Sequence, residues 1–189
     1  MDANLALQEL FSTRGMRAIR DNISSFDTLV IHRTNINYFN CIRDFGLLPR
    51  YIEFGTFCDE RIKQLVPGRD IICFRPELSN LKPQGSSPYG STLFDIAIKT
   101  SDLPDMLGMD WSYDGQFEFF LNRIYSADKF DDMIAIACNI IRDLGSFVSY
   151  ARVDPDKLMV QLRTSDPISP IEWAPIVSCD VGQIATITN

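Results

Sequence analysis

The sequence contains a single histidine, His32, and five cysteines, Cys41, Cys58, Cys73, Cys138 and Cys179, none spaced as C-x-x-C. One histidine excludes multi-histidine metal sites, and isolated cysteines in odd number exclude a zinc ribbon or a disulfide scaffold. No metal is expected, and the cysteines read as reduced, mostly core residues. No apolar run approaches the roughly 20 residues of a membrane-spanning helix, so no membrane partner is expected. Residues 1–20 lack a basic start followed by an apolar core, which predicts no secretory signal and a cytoplasmic location. The G-x-x-x-x-G-K phosphate loop, the G-x-G-x-x-G turn and the G-x-S-x-G nucleophile elbow are all missing. Any Ser-His-Asp or Cys-His arrangement would have to use His32, and no serine or cysteine sits in a recognisable nucleophile turn.

What is present is ordinary for a globular protein: 189 residues, 46% hydrophobic and 23% charged. That length predicts one domain with a sizeable core. The formal charge of −7 is unevenly spread. Residues 1–75 hold ten Lys/Arg against nine Asp/Glu, a balance of +1, so residues 76–189 carry −8. Thirteen of the eighteen basic residues are arginines, the side chain suited to phosphate and carboxylate forks. The first part of the chain is therefore the part able to meet a polyanion.

Hydrophobic periodicity predicts an α+β domain of roughly six strands. Residues 4–23 read as one helix, with Gly15 as a possible break. Residues 28–32 are apolar and β-branched, a strand ending at His32. Residues 35–45 read as a helix capped by Thr34 or Asn35, with Ile36, Phe39, Ile42 and Phe45 as its stripe and Gly46 as its stop. A short helix at 57–65, a strand at 70–75 and a Pro/Gly/Ser-rich loop at 76–90 follow. Further strands are predicted at 93–99, 116–124, 147–153 and 158–162, with a helical turn at 103–109 and the strongest helix at 127–144. In 116–124 the alternation sets Gln116 and Glu118 opposite Phe117, Phe119 and Leu121. Beyond Ser165 no period is evident.

His32 stands out by context, in His32-Arg-Thr34 at the end of an apolar strand and before an amphipathic helix. A lone histidine there is also the place for an ordinary backbone-bonded residue. The surrounding stretch resembles the H-x-T-x-I-x-N-L-x-x-I-x-x-x-G-L-L segment of DarT-type nucleic-acid ADP-ribosyltransferases, on His32, Thr34, Ile36, Phe39, Ile42, Gly46, Leu47 and Leu48. The family asparagine falls on Tyr38. The resemblance continues in order through Arg61, the strand Asp70-Ile-Ile-Cys-Phe-Arg-Pro76, the stretch Phe94-Asp-Ile-Ala-Ile-Lys-Thr-Ser-Asp-Leu-Pro104, the turn Trp111-Ser-Tyr-Asp-Gly115, and Gln116-Phe-Glu118. It spans about residues 29–141. In the family a long nucleic-acid-gripping segment separates the D-G turn from the Q-x-E strand, whereas here Gly115 abuts Gln116.

The resemblance implies an ADP-ribosyltransferase-like fold and NAD as co-substrate. It implies that Glu118 and Arg61 are catalytic, and that His32, Arg33, Thr34, Tyr38, Arg61 and Gln116 bind NAD. Glu118 would stabilise a cationic ribose and accept a proton. His32 would bond a ribose hydroxyl, the Arg33 backbone would read the nicotinamide amide, and Arg61 would neutralise the diphosphate. Thr34 would support an oxygen at the helix start, where the dipole favours anions. The implied acceptor is a base in single-stranded DNA or RNA, and the implied role is the toxin of a toxin–antitoxin or phage-defence system with a neutralising protein partner. Competing readings are a transferase acting on protein, a binding module of this fold without turnover, and an RNA 2′-phosphotransferase.

Overall fold

The computed structural model describes residues 3–10, 12–25, 28–52, 69–76, 91–103, 106–107, 122–144, 147–149, 151–165 and 170–188. Their architecture is mixed: an antiparallel sheet and a small set of helices. Nine short strands are present among them: β1 (Leu29–Asn35), β2 (Arg50–Ile52), β3 (Arg69–Pro76), β4 (Thr92–Lys99), β5 (Met106–Leu107), β6 (Phe147–Ser149), β7 (Met159–Gln161), β8 (Trp173–Pro175) and β9 (Ile187–Thr188). The order across the sheet is β5-β6-β3-β1-β4-β7-β8, with β2 added on β3 and β9 on β4. Every pairing is antiparallel.

β4 is an interior strand of the sheet, flanked by β1 and β7. From Leu93 to Ile98 every residue is buried, on both faces. Its sequence, Leu-Phe-Asp-Ile-Ala-Ile, is apolar apart from Asp95, as a strand covered on both sides requires. β1 lies against it in full register, from Leu29 opposite Lys99 to Asn35 opposite Leu93. Val30, Phe94, Ile96 and Ile98 are completely covered, each worth about 1.5–3 kcal/mol in surface removed from water.

Among the described residues four helices of seven or more residues accompany the sheet: α1 (Ala3–Leu10), α2 (Thr13–Ser24), α3 (Phe39–Phe45) and α4 (Phe130–Leu144). α1, α2 and α4 pack on one another. Leu10, Ile19, Ile23, Met133 and Ala137 join the sheet residues in one buried cluster. The helix predicted over 4–23 is thus two helices, and the break falls before the glycine. Ser12 caps α2, its Oγ accepting from the Gly15 N–H at 3.1 Å and donating to the Glu9 carbonyl at 2.6 Å. Gly15 makes the sharp junction possible, because a Cβ there would overlap the Glu9 and Leu10 carbonyl oxygens. α4 starts three residues later than the predicted 127, with Asp131 and Asp132 in its first turn and Arg142 in its last, the charge order a helix dipole favours.

Other boundaries also move. β1 runs past His32 to Asn35, since Thr34 and Asn35 still have β4 partners in Phe94 and Leu93. The helix after it begins as a 3-10 turn over Ile36–Tyr38 before α3. Asn35 is the cap, its Oδ1 accepting from the Asn37 N–H at 2.8 Å, and Thr34 is a strand residue. Gly46 ends α3 at φ 79°, and a side chain there would strike the Val153 carbonyl, because Leu47 and Val153 form an isolated bridge. In place of a helical turn over 103–109, a 3-10 turn occupies Thr100–Asp102 and Met106–Leu107 pair with β6. Residues 122–125 form a helical turn, so the strand predicted over 116–124 does not reach its expected end; residues 116–121 lie outside the described set. The segment after Ser165 contributes β8 and β9, too short to show a period.

The cysteines partly match expectation: Cys138 and Cys179 are buried, Cys73 is half-buried and Cys41 is exposed. Burial pushes the Cys138 thiol up to about 11. Among the described residues no helix is long and apolar enough to cross a membrane, and no group of three or more His, Cys, Asp or Glu could hold a metal ion.

Candidate functional site

β1 has two unequal neighbours. Against β4 it pairs over its whole length, but against β3 only Val30 and Ile31 have partners, Pro76 and Arg75. β3 changes partner along its course, meeting β2 through residues 69–71 and β6 through 72–74. The strands therefore part where His32 begins, and the histidine ring stands at the fork. Its Nδ1 lies 2.9 Å from the Cys73 carbonyl oxygen, and its ring meets Phe74 edge to face with centroids 5.9 Å apart.

A carbonyl only accepts, so Nδ1 carries the proton and Nε2 of the neutral ring is an acceptor. Burial is the main influence on its ionisation and holds the imidazole below its ordinary value; Arg75 acts in the same direction, and the Cys73 bond and Asp95 oppose it. His32 is therefore neutral at neutral pH, and its chemistry is to orient or accept rather than to supply charge.

Thr34, two residues on, shares the face of β1 that carries His32 and Val30. It is 8% exposed, and its side-chain hydroxyl has no hydrogen-bond partner among the described residues. A buried hydroxyl without a partner costs about 1–3 kcal/mol, a cost tolerated where a ligand supplies the missing partner. The neighbouring buried aromatic pair, Phe39 against Phe94 at 5.8 Å, ties the start of α3 to β4 and fixes the segment that follows Thr34.

The opposite face of the same strands is ionic. Arg33 stands directly across from Asp95 and grips it in a fork, Nε to Oδ1 and Nη2 to Oδ2, both at 2.7 Å. Arg75 on β3 reaches the same carboxylate at 3.6 Å. The Arg33 side chain is thus committed to the sheet, and periodicity gave no sign of this because its partner lies 62 residues away.

The structure accordingly brings His32 and Thr34 together on one face and turns Arg33 to the other. Tyr38 is 56% exposed on the 3-10 turn beyond them. Arg61, Gln116 and Glu118 lie outside the described residues. Thr34 does not stand at a helix start as expected; β1 simply continues through it. Asp95 is the site residue that sequence reasoning passed over. The one signal for Asp95 was an acidic residue inside an otherwise apolar strand, which demands a buried partner.

These features define the class: a mixed α/β protein on an antiparallel sheet, with a neutral histidine and a buried hydroxyl at a strand fork. Compared with protein-family models, with curated proteins and with solved structures, the chain matches none.

Proposed function

We propose that the chain is an NAD-dependent mono-ADP-ribosyltransferase that modifies a base in single-stranded DNA or RNA. The observation that carries this reading is the pairing on one face of β1 of a neutral histidine, with Nε2 as acceptor, and a buried threonine hydroxyl that has no hydrogen-bond partner among the described residues. A ribose presents hydroxyl groups that donate and accept, which suits both. The residues present therefore fit the sugar end of a dinucleotide. His32 Nε2 accepts from a ribose hydroxyl, and the Thr34 hydroxyl pairs with a ribose or phosphate oxygen. The Arg33 backbone reads the nicotinamide amide while its side chain stays on Asp95.

The remaining roles follow from the resemblance of Arg61, Gln116 and Glu118 to the family motifs. The bond between the ribose anomeric carbon and the nicotinamide nitrogen breaks, passing through an oxocarbenium-like state, and nicotinamide leaves as a neutral molecule. A nitrogen or oxygen of the acceptor base forms the new bond to the same carbon. The Glu118 carboxylate steadies the positive ribose and takes the acceptor's proton. Arg61 offsets the diphosphate charge, Gln116 takes the first position of the family's Q-x-E motif, and Tyr38 occupies the position of the family asparagine. Within this reading the chain is a toxin held in check by a protein partner.

Incubating the protein with NAD labelled on the adenylate, and separately with single-stranded DNA, RNA or cell protein, tests the proposal. Label on a nucleic acid, lost in Glu118→Ala, is the expected result. Label on protein alone would move the acceptor. NAD binding with no transfer to any acceptor would leave a binding module, and neither binding nor transfer would overturn the assignment.

A further inference from the structure

On the face of the sheet opposite His32 and Thr34, positive charge exceeds negative in one ionic cluster of the described residues. Three ionic side chains meet there from three adjacent strands: Arg75 on β3, Arg33 on β1 and Asp95 on β4. Arg33 takes both oxygens of the carboxylate at 2.7 Å. Arg75 is left with a single contact of 3.6 Å, beyond hydrogen-bond length, and has no other ion pair among the described residues. Two cations thus share one anion, and the cluster carries a net charge of +1.

The surroundings amplify that charge. Ile31, Leu93 and Ala97 line the same face and are buried, so the field of the cluster is screened far less than at an open surface. The Asp95 side chain is 9% exposed and that of Arg33 19%, whereas Arg75 keeps 29%. The arrangement is a closed ion pair beside a second arginine side chain that stays partly exposed. Burial and the neighbouring Arg33 charge both disfavour the protonated form of Arg75, and Asp95 only partly offsets them. A second anion would relieve that repulsion. A guanidinium fork matches the planar pairs of oxygens on a phosphate group.

We propose that Arg75, seated on the Arg33–Asp95 pair, is an anion site for a phosphate group on the face of the sheet opposite His32 and Thr34. The site does not rest on the NAD reading, because it is defined by the charge count and by the β3-β1-β4 order alone. In this arrangement Asp95 positions Arg33 and sets the charge, and Arg75 makes the contact.

Calorimetric titration of the full chain with inorganic pyrophosphate at low salt tests the site, comparing wild type, Arg75→Gln and Arg75→Lys. Saturable binding by the wild type is expected, weakened at least fivefold by Arg75→Gln and less by Arg75→Lys, which keeps the charge but loses the fork. Circular dichroism checks that Arg75→Gln folds; if it does not, the Arg75→Lys titration decides, with at least a twofold loss expected. Two further titrations identify the natural source of the phosphate. Weaker NAD binding in Arg75→Gln assigns it to the dinucleotide, and weaker binding of a twelve-residue oligothymidylate with NAD unchanged assigns it to a strand. No saturable pyrophosphate binding by the wild type, or equal binding by wild type and variants, would overturn the proposal whatever the fate of the transferase reading.

Discussion

The two faces of β1 are built on different principles. On one, Val30, His32 and Thr34 look into a setting of aliphatic and aromatic side chains, with Phe74 and Phe94 among the nearest. On the other, Ile31 and Arg33 lie beside Asp95 and Arg75. A strand reverses its side chains at every residue, so three consecutive positions, His32, Arg33 and Thr34, serve two environments at once. The apolar face holds its histidine neutral and leaves the Thr34 hydroxyl without a partner among the described residues. The ionic face satisfies its deepest charge twice over. The comparison teaches that the groups suited to a ligand are those on which the fold spends least, the Thr34 hydroxyl on one side and the Arg75 fork on the other.

The sharpest way to break the comparison is to damage each face separately. Phe94→Ala on the apolar face removes a fully buried ring and its contact with Phe39, and should cost about 4 kcal/mol in denaturant-induced unfolding. Asp95→Ala on the ionic face leaves Arg33 and Arg75 facing one another without their carboxylate, and should cost about 3 kcal/mol. If Asp95→Ala were neutral, the ionic face would be ornamental and the charge count behind Arg75 would fail.

A smaller effect separates the faces by pH. The unfolded His32 imidazole takes its proton near 6.5, and the folded one at lower pH because burial disfavours the charge. The unfolded state therefore binds more protons as the solution is acidified. Stability contributed by the neutral ring is fully present above about 6.5 and is lost as the pH falls from there through the folded value. Unfolding profiles of wild type and His32→Gln should diverge on that acid limb, with the variant losing less. Superimposable profiles would show that the ring is not held in its neutral form.

Smallest in stability is Thr34→Val. The substitution keeps the β-branched shape that suits a strand and removes a buried hydroxyl without a partner. Unfolding free energy should stay the same or rise by up to about 1 kcal/mol. A loss of more than that would mean that the hydroxyl is already satisfied within the fold.

Much of this fold was legible in the sequence, and the exceptions are instructive. The strands at 69–76 and 92–99 announced themselves by continuous apolar, β-branched runs, and the helix at 130–144 by its period. The end of β1 was misjudged because Arg33, Thr34 and Asn35 are polar. They remain in the strand because β4 offers each a partner, a tertiary effect invisible in a local window. The sequence reads as one helix over 4–23 with Gly15 as a possible break, whereas the cap of α2 is Ser12; the glycine serves the close approach and the serine the start. β5, β8 and β9, of two or three residues each, carry no period to read. Within the site, His32 and Thr34 were legible as a spaced pair. That they share a face apart from Arg33 followed only once the strand was seen to run through all three.

Calorimetric titration of NAD into wild type, His32→Gln and Thr34→Val decides whether the His32–Thr34 face receives a nicotinamide dinucleotide. A single NAD site is expected in the wild type, weakened at least tenfold in His32→Gln and severalfold in Thr34→Val, with both variants folded. Absence of binding by the wild type, or affinities unchanged in both variants, would contradict it.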